Sequence, residues 1–279
     1  MSAPAESRGP GPLDGAAPLD GVALRRRAFE ASWLARLGWI ALALYCVYAA
    51  SRLGFGWERF VAGLEHGGRF LARMFPPNYE RWPLLVSGIV ESLQIAVIAT
   101  FFGVAISLPI GFMAARNLMP AWVTWPTRAF IALCRSFHPI IVAILFVKAI
   151  GFGALAGIMA LIVGSIGFIA KLFAEAIEEI SLKQVEAVRA TGAGFLNTLI
   201  MGVQPQVLPR FIGFATYQLD SNLRNSTMVG IVGGGGIGAT LFTAYQRFDF
   251  DFVLAILIVI VALIMLAEIV SGWARKVFQ

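Results

Sequence analysis

The sequence predicts an all-α protein, a polytopic transmembrane helical bundle of about six spans. Composition gives the first reason. Apolar residues make up 58% of the chain and charged residues only 14%, against about 45–50% and about 25% in soluble domains. The second is the mean hydropathy, +0.78. Third, the apolar residues fall in continuous runs of about 20, not in alternating stretches of about ten, which selects helices over a barrel. Inside lipid each backbone N–H and C=O must be paired within the protein, and a helix does this within one segment.

Taken in order, residues 1–23 are rich in Pro, Gly and Ala, carry Asp14 and Asp20, and lack the apolar core of a signal peptide. They read as a disordered cytoplasmic tail, with no cleaved leader expected. Arg25-Arg26-Arg27 precede the first apolar run, and basic residues favour the cytoplasmic side. That run, Trp33 to Leu53, is the first span. Residues 54–82 interleave Trp57, Phe60, Leu64, Phe70 and Leu71 with charges and end at Pro76-Pro77. They read as one or two amphipathic helices on the outer face, closing an N-terminal region of residues 24–82. Arg52, Arg59, Arg69, Arg73 and Arg81 oppose that outer placement, and Glu58, Glu65 and Glu80 offset them only in part.

Leu84 to Ala115 forms the second span, long enough to tilt or to bend at Pro109. A short loop with Arg116, Asn117 and Pro120 follows. The third span is expected over Arg128 to Ile150 and ends at Gly151 and Gly153. The fourth covers Leu155 to Ala176. A polar stretch, residues 178–205, separates it from the fifth at Val207 to Ile231. A glycine-rich segment then leads to the sixth, Phe252 to Trp273, before Arg275 and Lys276. Six spans put both termini in the cytoplasm.

The charge balance is +6, and positive-inside loops account for it. No segment mixes basic and aromatic residues as a nucleic-acid surface would, so no nucleic acid is expected as a partner. Cys46 and Cys134 stand in separate apolar runs without metal-ligand spacing, and read as small core residues. His66 and His138 are far apart, and no H-E-x-x-H or G-x-S-x-G is present. Neither a metal site nor a catalytic set follows from the residues.

The polar stretch carries the most informative pattern. It reads EEISLKQVEAVRATGAGFLNTLIMGVQPQVLP over residues 178–209. Glu186-Ala187-Val188, then three residues, then Gly192, with Pro205 further on, resembles the EAA coupling motif of ABC-importer permeases. Val188 replaces the second alanine of that motif, and Gly202 and Gln204 replace its Ile and Leu. The resemblance implies a short helix held out of the membrane and seated in a cleft of an ATPase. Small Ala187 and Ala190 keep its packing face thin, and Glu186 and Arg189 offer charges to the partner. Gly192 permits the left-handed backbone that ends a helix.

From about residue 75 onward the chain is similar to the phosphonate-family permeases. The matching stretches include FPPNYERW (75–82), ESLQIAV (91–97), LFVKAIGFGALAGIMAL (145–161), KLFAEAIEEI (171–180) and DSNLRNSTMVGIVGGGGIG (220–238). Asp220 stands where the family has Glu, Gly234 where it has Ala, and His138-Pro139 where many relatives carry an acid. The resemblance implies a type I ABC-importer permease domain over residues 83–279, in the bacterial cytoplasmic (inner) membrane. It further implies a homodimer, two cytoplasmic ATPase subunits, and an extracytoplasmic phosphonate-type binding protein. ATP and magnesium would be bound by the ATPase, and no cofactor by this chain. Phosphonate, phosphite and hypophosphite all remain open as cargo.

Further groups of residues invite a functional reading. Gly233, Gly234, Gly235, Gly236 and Gly238 satisfy G-x-G-x-x-G formally. They lack the preceding strand, and Ala239 stands where a phosphate loop needs lysine. A flexible, close-packed outer gate is the better reading. Charged and polar groups within spans are candidate pathway residues, because burying them is costly. These are Asp220, Asn222 and Arg224 on the fifth helix, Arg135 and His138 on the third, and Glu91 and Gln94 on the second. Asp220 and Arg224, four apart, can neutralise one another, as can Lys171 and Glu175 at the inner end of the fourth. The competing readings are structural pairs and interhelical hydrogen bonds. A secondary transporter would need inverted repeats and its own ion site, and no convincing repeat is visible. A membrane enzyme would need a denser set of acids, bases or nucleophiles.

Overall fold

The computed structural model describes residues 33–278 apart from residue 55, with side chains described through residue 272. The expected tail and Arg25-Arg26-Arg27 lie outside the described residues, as do the side chains of Arg275 and Lys276. Two compact units divide between His66 and Gly67. In the first, α1 (Trp33–Arg52) is apolar on every side, and its 20 residues span about 30 Å at about 1.5 Å per residue. A single amphipathic helix, α2 (Trp57–Met74), follows and runs on into the second unit.

The second unit contains α3 (Trp82–Ala114), α4 (Ala121–Ser136), α5 (Pro139–Ile150), α6 (Ala154–Glu178), α7 (Leu182–Ala190), α8 (Phe195–Thr198), α9 (Gln204–Val229), α10 (Gly236–Gln246) and α11 (Phe250–Phe278). Two π-helical turns, Leu199–Val203 and Gly230–Gly234, bracket α9. No strand occurs among the described residues. Four helices (α1, α3, α6 and α11) are long and apolar enough to cross a membrane alone. The number rises to six if the bent pairs α4–α5 and α8–α10 each count as one span.

Three expectations are corrected here. The third span is not continuous over 128–150: α4 and α5 meet at 89°. Pro139 lacks an N–H and crowds the preceding turn, so it begins a helix well but cannot sit inside one. Phe137 and His138 are accordingly extended, at φ −103° and −67°. Helical backbone also resumes at Phe195 rather than 207, within the stretch read as polar loop. Finally, the glycine-rich segment leads into α10 and not directly to the last span. Gly235 and Gly236 have φ of 82° and 73°, so the chain turns by 52° and re-enters a helix.

In lipid, helices gain little from hydrophobic burial against one another, and small residues that allow close approach take over. Helix α3 carries such residues at four-residue intervals: Ala99, Gly103, Ser107 and Gly111, all buried. They face α6. Gly103 meets Ser165, Gly111 meets Phe173, and the Arg116 N–H donates to Glu178 Oε1 at 2.8 Å. This constant offset means that α3 and α6 run parallel. Helix α9 runs antiparallel to α6: Phe173 packs on Phe211 and Phe168 stacks on Tyr217, with centroids 4.8 and 5.5 Å apart.

The segment before α3 is tied to the start of α11. Asn78 N–H donates to Asp251 O at 3.2 Å, and Arg81 pairs with Asp249 at 3.0 Å while lying over the Phe252 ring.

A side chain at position 111 should not fit. A Cβ there would fall 2.5 Å from the Phe173 ring. Gly111→Leu should cost about 1–3 kcal/mol and lower the melting temperature of the purified chain in detergent. An unchanged melting temperature would refute the close α3–α6 contact.

Candidate functional site

The coupling candidates lie on α7 and its C-terminal turn. Val185 is buried and Val188 half-buried, whereas Glu186, Ala187, Arg189, Ala190 and Gly192 are exposed. One edge of the helix is thus seated on the bundle and the rest is presented outward. Val185 rests on Gly202, where an added Cβ would fall 3.3 Å from its Cα. It joins Val203, Val207, Phe211, Phe173 and Ile177 in a cluster at this end of the bundle. Gly192 adopts φ +80° directly after the helix, as its position in the motif anticipates. Leu182 at the start of α7, and Leu196 and Met201 in the segment that follows it, are exposed apolar side chains.

The attachment of α7 uses residues that the motif did not point to. Glu178 Oε1 accepts from the Arg116 N–H at 2.8 Å and from Arg128 at 2.5 Å. Arg128 Nε also donates to Ala114 O at 2.8 Å, so one carboxylate joins the ends of α3 and α6 to α4. Gln206 Oε1 accepts from the Ser181 N–H at 3.0 Å, while its Nε2 donates to Gly202 O at 2.6 Å. That side chain clasps Ser181, the residue before α7, to the start of α9. Glu179 pairs with Arg210 at 2.6 Å on the surface, a contact that contributes little. Nothing in sequence spacing distinguishes Gln206 or Arg128 from other polar residues, since their partners come from distant segments.

The glycine-rich candidates form a tightly packed crossing. Gly234, Gly235, Gly236 and Gly238 are buried and Gly233 is half-buried. The Ile237 N–H donates to Ser92 Oγ at 2.9 Å, and the Gly153 N–H donates to Gly233 O at 2.9 Å. Gly238 lies against the Thr227 carbonyl of α9 and Gly234 against Gly157 of α6, so a side chain at Gly238 would force α10 from α9 and one at Gly234 would force the turn from α6.

The candidate pathway residues are sorted by their surroundings. Asp220 and Arg224 are paired at 3.0 Å on α9. Asn222 is buried, donating to Thr100 Oγ1 and Ser165 Oγ at 2.9 Å and accepting from Gln218 at 3.0 Å. It therefore ties α3, α6 and α9 together. Glu91 is half-buried and Gln94 exposed on α3; a Cβ on Gly235 would lie 2.6 Å from Glu91 Oε1. Arg135 and His138 do not share a helix, contrary to expectation. Arg135 ends α4, and His138 caps α5 by accepting from the Ile140 N–H at 3.4 Å. The Lys171–Glu175 pair is formed, at 3.5 Å.

These features describe a multi-span helical membrane protein with one short helix presented outward between two spans. The chain belongs to the family of binding-protein-dependent transport system inner membrane components, whose model matches residues 107–279. It is 44% identical over 206 residues to the phosphate-import permease protein PhnE of Mycolicibacterium smegmatis, covering 73% of this chain and 39% of that relative. The chain thus matches well under half of that relative's length. It is 35% identical to the phosphite transport system permease protein PtxC of Stutzerimonas stutzeri, over 91% of this chain and 93% of the relative. An inward-facing structure of the MetNI methionine ABC transporter superposes with a TM-score of 0.62 at 28% identity. That match covers 72% of this chain and 99% of the other.

The Glu178 junction is open to test. Glu178→Ala removes the acceptor of both Arg128 and the Arg116 N–H. A loss of about 1–2 kcal/mol should speed hydrogen exchange over residues 179–192 roughly tenfold, with exchange in the middle of α3 unchanged. Equal exchange in both proteins would show that Glu178 does not anchor α7.

Proposed function

We propose that this chain is the permease subunit of an ATP-driven importer for phosphonate or a related phosphorus oxyanion. It works as a homodimer on two cytoplasmic ATPase subunits and receives cargo from an extracytoplasmic binding protein. The observation that carries this reading is α7, a short helix seated through Val185 that leaves Glu186, Ala187, Arg189 and Ala190 exposed. A permease that hydrolyses no nucleotide must receive force through such a contact. Similarity to phosphate- and phosphite-transport permeases supports the cargo class. With α7 in the cytoplasm, the inner ends of α3, α6 and α9 face the ATPases and both termini lie inside. ATP binding then swings the two permeases from inward-open to outward-open, and the glycine-rich crossing serves as the outer gate.

Glu186→Arg reverses a charge on the presented face, and Gly192→Val places a β-branched residue at φ +80°. Each variant should reach the membrane folded. Each should lower methylphosphonate uptake, and ATP hydrolysis stimulated by the binding protein, at least tenfold in vesicles carrying the whole complex. Unimpaired transport by both variants would refute the role given to α7.

A further inference from the structure

Between α4 and α6 lies a cavity of about 520 Å³, lined by Arg128, Arg135, Ser136, Lys171 and Glu175 among others. A second recess of about 220 Å³ lies beside it, with Tyr217, Gln218, Ser221 and Asn225 in its wall. Arg135 belongs to both walls.

The three basic groups differ in a graded way. Arg128 is bound to Glu178 at 2.5 Å. Lys171 is held more loosely by Glu175, at 3.5 Å. The Arg135 side chain is exposed to the cavity and makes no hydrogen bond or ion pair among the described residues. Its stem lies against Gly167, where a Cβ would fall 2.8 Å from Arg135 Cγ, so α6 provides a notch for it. Gly167 sits in the middle of α6, and two helical turns, about 10 Å along α4, separate Arg135 from Arg128. A guanidinium without an acid at mid-span is costly unless water or an anion meets it. It also presents a planar set of donors suited to a tetrahedral oxyanion.

We propose that Arg135 is the mid-membrane contact for the transported oxyanion, and that Lys171 and Arg128 form a descending exit ladder below it. This rests on the permease reading given above. The unpaired guanidinium attracts the anion from the recess beside α9. Lys171 and then Arg128 offer it progressively weaker hold, because each already has a carboxylate. Such a gradient lets the anion enter and still leave, as conduction requires. A phosphate of a lipid headgroup has the same chemistry. Arg135 is placed too deep for it, about 10 Å beyond Arg128, which itself lies level with the end of α6.

The test needs no transport. In the assembled complex carrying Cys46→Ala and Cys134→Ala, Ser136→Cys places a thiol in the cavity wall. A sulfonate-bearing methanethiosulfonate should label it roughly tenfold faster than a trimethylammonium-bearing one. Arg135→Gln should abolish that preference and Arg135→Lys should keep most of it. Methylphosphonate should slow labelling in phosphatidylcholine nanodiscs. Equal labelling by both reagents overturns the proposal, as does protection by phosphatidylglycerol alone with none by methylphosphonate. Loss of ATP coupling with the charge preference intact would count against the importer reading while leaving the anion site standing. In uptake assays, Arg135→Gln should raise the KM for the binding-protein-delivered oxyanion or lower its rate at least tenfold, with partial rescue by Arg135→Lys. Wild-type uptake by Arg135→Gln would overturn the site.

Discussion

The structure depends on one constraint: helices in lipid are not driven together by burial of apolar surface. What holds α3, α6 and α9 is close approach at small residues and a few hydrogen bonds that have no water to replace them. Asn222 is the centre of these bonds, reaching Thr100 on α3 and Ser165 on α6 while accepting from Gln218 on its own helix. Ser165 is also the residue that meets Gly103. The hydrogen-bond cluster and the small-residue contact therefore coincide at mid-span, and each fixes the spacing that the other needs.

A block tied in this way can transmit displacement. Its inner end carries the Phe173, Phe211 and Val185 cluster, the Glu178 junction and the Gln206 clasp, so α7 is joined to α3, α4, α6 and α9 together. The far end of α9 passes through a π-helical turn into the glycine-rich crossing with α10. A displacement applied at α7 would thus have a continuous packed route to the opposite end of the bundle. The broken α4–α5 pair stands beside this block, and its break lies next to Arg135, where the chain departs from regular helix and polar groups gather.

Much of this was legible in the sequence. Long apolar runs gave α1, α3, α6 and α11 to within a few residues, because the bilayer sets their length. The EAA-like pattern located α7 and Gly192, because a tight helix end demands a particular backbone conformation. The Asp220–Arg224 and Lys171–Glu175 pairs followed from four-residue spacing. Other features were not legible. Pro139 sits in an apolar run that reads as one span, and only its start-of-helix preference separates α4 from α5. Helix α10 is short and mixed, so no periodicity marks it after the glycines. The partners of Asn222, Thr100 and Ser165, come from segments far away in sequence, so its place at the junction of three helices was not legible. Gln206, Arg128 and Glu178 escaped notice for the same reason.

The most direct measurement is the thermal stability of the full chain in lipid nanodiscs with Asn222→Leu, compared with the combined Asn222→Leu and Ser165→Ala change. The single change strips Thr100, Ser165 and Gln218 of a shared partner and should lower stability by about 1–3 kcal/mol, and removing Ser165 Oγ as well should deepen the loss, because Gln218 Nε2 also donates to that oxygen at 3.0 Å. If Asn222→Leu melts with the parent protein, the three helices are held by something else and the account fails.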